Sequence, residues 1–159
     1  MVGYQQQVAD KKSLQLFGGV TAADYSDFYF ARDVFGFNGE AQFRFYLQNN
    51  KSGLSGLYAG PYVFYKEIEM DVEDWTCQNP NWEPCFNKFN GKSGGGGVFI
   101  GYQLVIKNVG IIDLYTGGGI RVSDSNLDGR QGDFLDNSLN EFRSSGIYPN
   151  IGLQVGMGF

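Results

Sequence analysis

In the run Ile151-Gly-Leu-Gln-Val-Gly-Met-Gly-Phe159, apolar residues alternate with small or polar ones up to the last position. Ile151, Leu153, Val155, Met157 and Phe159 share one face of an extended chain. Gly152, Gln154, Gly156 and Gly158 share the other. A period of two belongs to a strand, because helical faces repeat every 3.6 residues. One face must meet an apolar medium, and the other a space that admits small or polar groups. This is the alternation of a membrane β-barrel strand, apolar toward lipid and polar toward the lumen, here with Phe159 as its terminus.

Composition agrees with such a wall. The chain has 24 Gly among 159 residues, and aromatics make up 16%. Gly is poor in helix interiors and aromatics favour strands, so the chain reads as all-β. The length suits a single domain, residues 1–159. No run of about 18 apolar residues is present to form a transmembrane helix. That does not exclude a barrel, whose strands turn half their residues to a polar interior. The net charge of −5 and the lack of a basic patch argue against nucleic acid as a partner. There is no His. That removes the commonest general base and transition-metal ligand, and with it any Ser–His or Cys–His pair.

Alternation marks seven strands: Val2 to Val8, Leu14 to Val20, Phe35 to Leu47, Gly56 to about Met70, Gly96 to Lys107, Ile111 to Asp124 and Gly146 to Phe159. The third is the clearest after the last. Phe35, Phe37, Ala41, Phe43, Phe45 and Leu47 oppose Gly36, Asn38, Glu40, Gln42, Arg44 and Tyr46. In the fourth, Pro61 and the run Glu67-Ile-Glu-Met-Asp71 predict a bulge or an end that rises out of the membrane. Glu73 to Gly95 reads as a long loop. The connections alternate short and long, as in an up-and-down antiparallel transmembrane β-barrel with short periplasmic turns and long external loops. If the last strand runs inward, so does the first, and Val2 begins outside. Bacterial single-chain barrels have even strand numbers. The expectation is therefore eight strands with seven visible here, the first lying upstream of Met1 or supplied otherwise. Met1-Val-Gly-Tyr-Gln-Gln-Gln7 lacks the basic start and apolar stretch of a secretory signal, so Met1 is not expected to open the precursor.

Several segments carry a likeness: Val2-Gly-Tyr-Gln5 with Leu14-Gln-Leu16, Glu40-Ala-Gln-Phe-Arg-Phe-Tyr-Leu47, Gly56-Leu-Tyr-Ala-Gly-Pro-Tyr62, Gly101-Tyr-Gln103 and Asp113-Leu-Tyr-Thr-Gly-Gly-Gly119. With them the chain resembles small outer-membrane barrels of the OmpA/OmpX type. It resembles more closely an uncharacterised outer-membrane barrel family known as a domain of unknown function. The resemblance implies an integral protein of the Gram-negative outer membrane with loops outside the cell. Its motifs are structural and speak to fold rather than function. The absent first strand is the departure from the pattern.

The candidate residues fall into four groups. Polar lumen positions include Gln5, Gln7, Gln15, Asn38, Gln42, Gln103, Asn150 and Gln154, with Glu40 and Asp113 available to offset Arg44 and Arg121. An eight-stranded interior has room for side chains and little else, so this set reads as a polar plug rather than a solute path or an acid–base pair. Cys77 and Cys85 bracket a turn-rich loop with Pro80 and Pro84. A disulfide in an oxidising compartment is expected, with two free thiols as the alternative. Zinc would lack half its ligands. Asp124, Asn126 and Asp128, with Gly129 sixth, match the first half of a calcium loop. Leu135 stands where the bidentate Glu belongs, so a solvated acidic loop competes with calcium binding. Tyr25, Phe28, Tyr29, Phe30, Trp75 and Trp82 read as an interfacial girdle or as loop contacts for a protein or glycan.

No cofactor is implied apart from that weak calcium signal. The functional expectation is a non-enzymatic outer-membrane barrel, a structural or accessory subunit of a protein complex. It would sit in outer-membrane lipid and meet a protein partner through long loops or its lipid-facing wall. Competing readings are a surface binding protein or adhesin acting alone, a soluble lipocalin-like binder and an outer-membrane enzyme. A pore is disfavoured by the strand number.

Overall fold

A computed structural model describes residues 1–23, 31–47, 54–74, 85–106, 109–125 and 145–157, with side chains undescribed at 23, 31–32, 72–74 and 85–87. It contains seven strands: β1 (Val2–Ala9), β2 (Lys12–Ala23), β3 (Ala31–Tyr46), β4 (Gly56–Asp74), β5 (Cys85–Ile106), β6 (Gly110–Ser125) and β7 (Gly146–Met157). They form one sheet in chain order, and each neighbouring pair is antiparallel. The all-β, up-and-down reading is therefore what the chain adopts. Closure is not: β1 and β7 are the edges of the sheet and no ladder joins them. Six antiparallel steps leave β1 and β7 running the same way, so a direct pairing of these two edges would be parallel.

The open sheet is strongly curled. Gln5 on β1 reaches Gln103 on β5 at 3.4 Å, and Gln15 on β2 reaches Gln154 on β7 at 3.2 Å. The ring of Phe64 on β4 lies 5.5 Å from that of Tyr148 on β7, tilted against it. Side chains of strands that are not neighbours meet across a common interior.

The two faces are reversed relative to a water-soluble protein. Ser13, Gln15, Gln42, Arg44, Ser93, Gln103 and Asp113 are buried inside, alongside Tyr46, Tyr58, Tyr62, Phe64, Phe99 and Tyr115. The outer face carries Val20, Val63, Val98, Ile100, Leu114, Ile120, Ile151, Leu153 and Val155, all exposed. Val98 is 67% exposed and Ile151 79%. Exposed aromatics mark both ends of this apolar belt. Phe35, Phe37 and Tyr65 stand toward the long connections, with Phe37 and Tyr65 in contact at 5.7 Å, and Phe45 and Tyr102 stand toward the short turns.

The structure redraws two elements. Residues 85–95, expected in a loop, extend β5. They pair with the polar end of β4 from Asp74↔Cys85 through Phe64↔Gly95, as a long hairpin above the apolar belt. Charged, Gly-rich sequence gives weak strand signals, and here β4 supplies the pairing. Of the two expectations for β4, a bulge or an end that rises beyond the apolar stretch, the bulge is not adopted: β4 pairs with β5 without a register shift, and the irregularity lies in β3. There Asp33 adopts φ 50° and the register shifts between Arg32 and Phe35. Asp tolerates this left-handed conformation better than most residues. Pro61 still leaves a mark, since the β3–β4 pairing skips Phe43 and Arg44 opposite Pro61 and Gly60. The close approach of β5 and β6 requires glycine: a Cβ on Gly97 would collide with the Gly118 carbonyl and the Gly119 Cα.

Candidate functional site

The interior site is built by strand alternation. β3 turns Glu40, Gln42, Arg44 and Tyr46 inward at every second position. Register places Ser13 beside Arg44 and Gln15 beside Gln42, while Gln103, Asp113 and Gln154 form one row across β5, β6 and β7. These rows face each other across the curl.

Arg44 is the centre. It is 0% exposed, and its Nη1 lies 2.6 Å from Asp113 Oδ2. Nη1 also donates to Gln103 at 3.0 Å. Nε and Nη2 donate to Gln42 Oε1 at 3.0 and 2.6 Å, and Nη2 reaches Gln154 at 3.4 Å. The guanidinium lies over the Tyr58 ring, 4.5 Å from its centroid. The second oxygen of Asp113 accepts from the Tyr58 hydroxyl at 2.5 Å. Around this centre, Tyr46 donates to Gln103, Gln5 donates to Tyr46 and Ser13, and Gln42 donates to Glu40. A buried ion pair is weak evidence for stability, because both charges are desolvated. What it does here is fix register. Slipping any of these strands by one residue would carry its polar members to the apolar face.

The candidate residues separate into those the fold unites and those it does not. Glu40, Arg44 and Asp113 belong to one network. Arg121 stands apart toward the long connections, 5.1 Å over the Tyr148 ring. Gln7 is exposed and donates to the Ala9 carbonyl, outside the network. Asp124 is exposed at the end of β6, in register with Lys92 on β5. Asn126 and Asp128 lie outside the described residues, as do Cys77, Tyr25, Phe28, Tyr29, Phe30, Trp75, Trp82 and Phe159. Cys85 is described in backbone only, so the cysteine pairing is outside the description too. Among the described residues no three acids, thiols or imidazoles gather as a metal cluster. The sequence reading missed the aromatic layer of Tyr58, Tyr62, Phe64 and Phe99. Its signal was the alternation of Tyr58, Tyr62 and Phe64 across Pro61, which the proline obscured.

Three further features surround the network. Above the belt, Lys92 binds Glu67 at 3.0 Å. That hydrogen bond holds the Glu67 carboxyl below its usual range and raises Lys92 above its own. On the outer wall a trough of about 460 Å³ runs over Ala59, Pro61, Val98 and Gly118, and its lining is almost wholly apolar. Between β1 and β7 a cavity of about 760 Å³ leads into the interior, with Gln15, Glu40 and Tyr115 among its walls. The interior offers a cation and a carboxylate that hold each other, amides around them, and the Tyr46 and Tyr58 hydroxyls engaged as donors.

No known family model, curated protein or solved structure matches this chain.

Proposed function

We propose that this chain is the wall of an integral outer-membrane β-barrel with a filled interior. It acts without chemistry of its own, as a structural or accessory subunit of an outer-membrane protein complex. One observation carries the membrane part: the inverted distribution of polarity, with Arg44 and Asp113 sealed inside and Ile100, Ile120, Ile151 and Val155 facing out. In water that outer face would be a large apolar patch on every side, whereas lipid removes the penalty. The apolar stretches Val98–Ile106 and Ile147–Met157 match the ~9–11 residues that a tilted strand needs to cross a bilayer. The aromatics Phe35, Phe37 and Tyr65 at one end and Phe45 and Tyr102 at the other sit where interfacial girdles sit.

The accessory role is supported by the plug. Buried Arg44, Gln42, Gln103 and Tyr58 occupy the lumen that a pore would need. A wall without a passage acts through its surfaces, and the partner is expected at the external loops or the lipid-facing wall. The test is extraction from outer membranes in mild detergent, with native mass and co-purifying proteins measured. A discrete larger complex is the expected result. A lone particle of monomer size refutes the subunit role and favours a surface protein acting alone. Recovery in the aqueous fraction without detergent refutes the membrane assignment itself.

A further inference from the structure

Two acceptors in the wall of the cavity between β1 and β7 lack what burial demands. Gln15 is 9% exposed; its Nε2 donates to Gln154, while its Oε1 is buried without a partner. Glu40 accepts from the neutral amide of Gln42 and forms no ion pair among the described residues, because Arg44 is committed to Asp113. Register sets Gln15 beside Gln42, with Glu40 two residues away on the same strand. The two acceptors are therefore diagonal neighbours on adjacent strands, within reach of one small group. Two aromatic rings share the cavity wall. That of Phe17 lies against Gly3 on β1 and that of Tyr115 against Gly152 on β7, where an added Cβ would strike each ring. Leu54, Ile111, Leu153 and Val155 make much of the remaining lining apolar, and among the described residues no Lys or Arg lines the space.

We infer that this cavity is a binding site for an organic cation, an ammonium group carried on an apolar body. Size permits it. The volume of about 760 Å³ falls within the roughly 300–1,000 Å³ of small-ligand pockets, which combine an apolar lining with a few placed polar groups. Charge selects the head. An ammonium has three donors and no acceptor, so one group serves both the Gln15 oxygen and the Glu40 carboxylate. Water supplies a donor to Gln15 but no positive charge to Glu40, and a carboxylate away from bulk water calls for one. An anion would add like charge beside Glu40, with no Lys or Arg in the wall to hold it. The rings of Phe17 and Tyr115 favour the same sign, since an aromatic face attracts a cation within about 6 Å. The apolar lining takes the body. The plug around Arg44 fills the lumen, whereas this cavity lies beside the plug with acceptors that the plug does not serve. The inference draws on interior residues alone and does not rest on the subunit role.

The test adds octylammonium, octanol or octanoate to the isotope-labelled chain in zwitterionic detergent micelles. The three probes share one apolar body and differ only in the head. The side-chain amide signals of Gln15 and Gln154 are followed by NMR, that of Gln15 being identified by its loss in Gln15→Leu. Octylammonium should shift both signals saturably, and the other two probes should leave them in place. Glu40→Gln should weaken octylammonium binding about tenfold, the size of one charge-assisted hydrogen bond. Unchanged signals from the β4–β5 hairpin in that variant report an intact fold. No shift with octylammonium, an equal shift with octanol or octanoate, or undiminished binding by Glu40→Gln overturns the inference. Ethanolamine phospholipid added to the micelles separates two sources of the same head. Competition with octylammonium assigns the site to a lipid headgroup, and lack of competition assigns it to a free amine. The native mass of the protein from its membranes does not depend on this titration, so the failure of the cation site and the failure of the subunit role are distinguishable.

Discussion

Replacing Arg44 by Met should be among the most damaging single changes available in this chain. Met keeps most of the side-chain length but removes the charge and every donor. Asp113, 1% exposed, then keeps the Tyr58 hydroxyl on one oxygen and loses the guanidinium on the other. Gln42 and Gln103 lose their charged donor as well. Breaking a buried pair from one side costs about 3–5 kcal/mol. In the double variant Arg44→Met with Asp113→Leu no stranded charge remains. It should recover most of the loss, since apolar replacement of a whole buried pair is often neutral. The assay is urea titration in lipid bilayers, with folded fraction read by circular dichroism. A single-variant loss under about 1 kcal/mol, or a double variant worse than the single, would refute the reasoning that this charge pair closes on itself.

Three other outcomes follow from the same structure. Val98→Arg on the outer wall should cost about 2–4 kcal/mol in a bilayer if that face meets lipid at mid-depth, whereas a water-exposed site would change by under about 0.5 kcal/mol; urea titration in bilayers separates the two. Gly97→Val should destabilise the β5–β6 pair by about 1–3 kcal/mol through overpacking, while Gly18→Ala, with open space around its Cα, should be nearly silent in the same titration. The Glu67–Lys92 bridge should open as acid protonates Glu67. Its carboxyl is held below the usual range when folded, so any stabilisation is present above that range and lost as pH falls through the folded value. Amide exchange in the β4–β5 hairpin, compared with Glu67→Gln, reads this; a pH response that survives in the variant counts against the bridge.

Much of the wall was legible residue by residue. The alternation of Phe35–Leu47 and Ile151–Phe159 fixed which side chains share a face, because a pleated strand repeats every second residue whatever its surroundings. That was enough to put Glu40, Arg44 and Asp113 on the same side of the sheet, and to mark Val98, Ile100 and Ile120 as the opposite side. The directions of the strands followed from their number and order. The weak signals were those where neighbours decide. Residues 85–95 are strand because β4 offers them a partner, and Tyr58 faces inward past a proline because the ladder on its other side holds.

Only the tertiary structure chose partners within a face. Arg44 could have met Glu40 four residues away along β3. The curl of the sheet instead brings Asp113 from β6 to 2.6 Å, while Glu40 is left to Gln42 beside the cavity between β1 and β7. Alternation says that a side chain points inward. How far the sheet bends, set by strand twist and by glycines such as Gly97 and Gly119 that let strands crowd, decides what it finds there. The inverted wall is thus written in the linear order of residues. The closed ion pair and the open edge beside it exist only once the strands have curled around them.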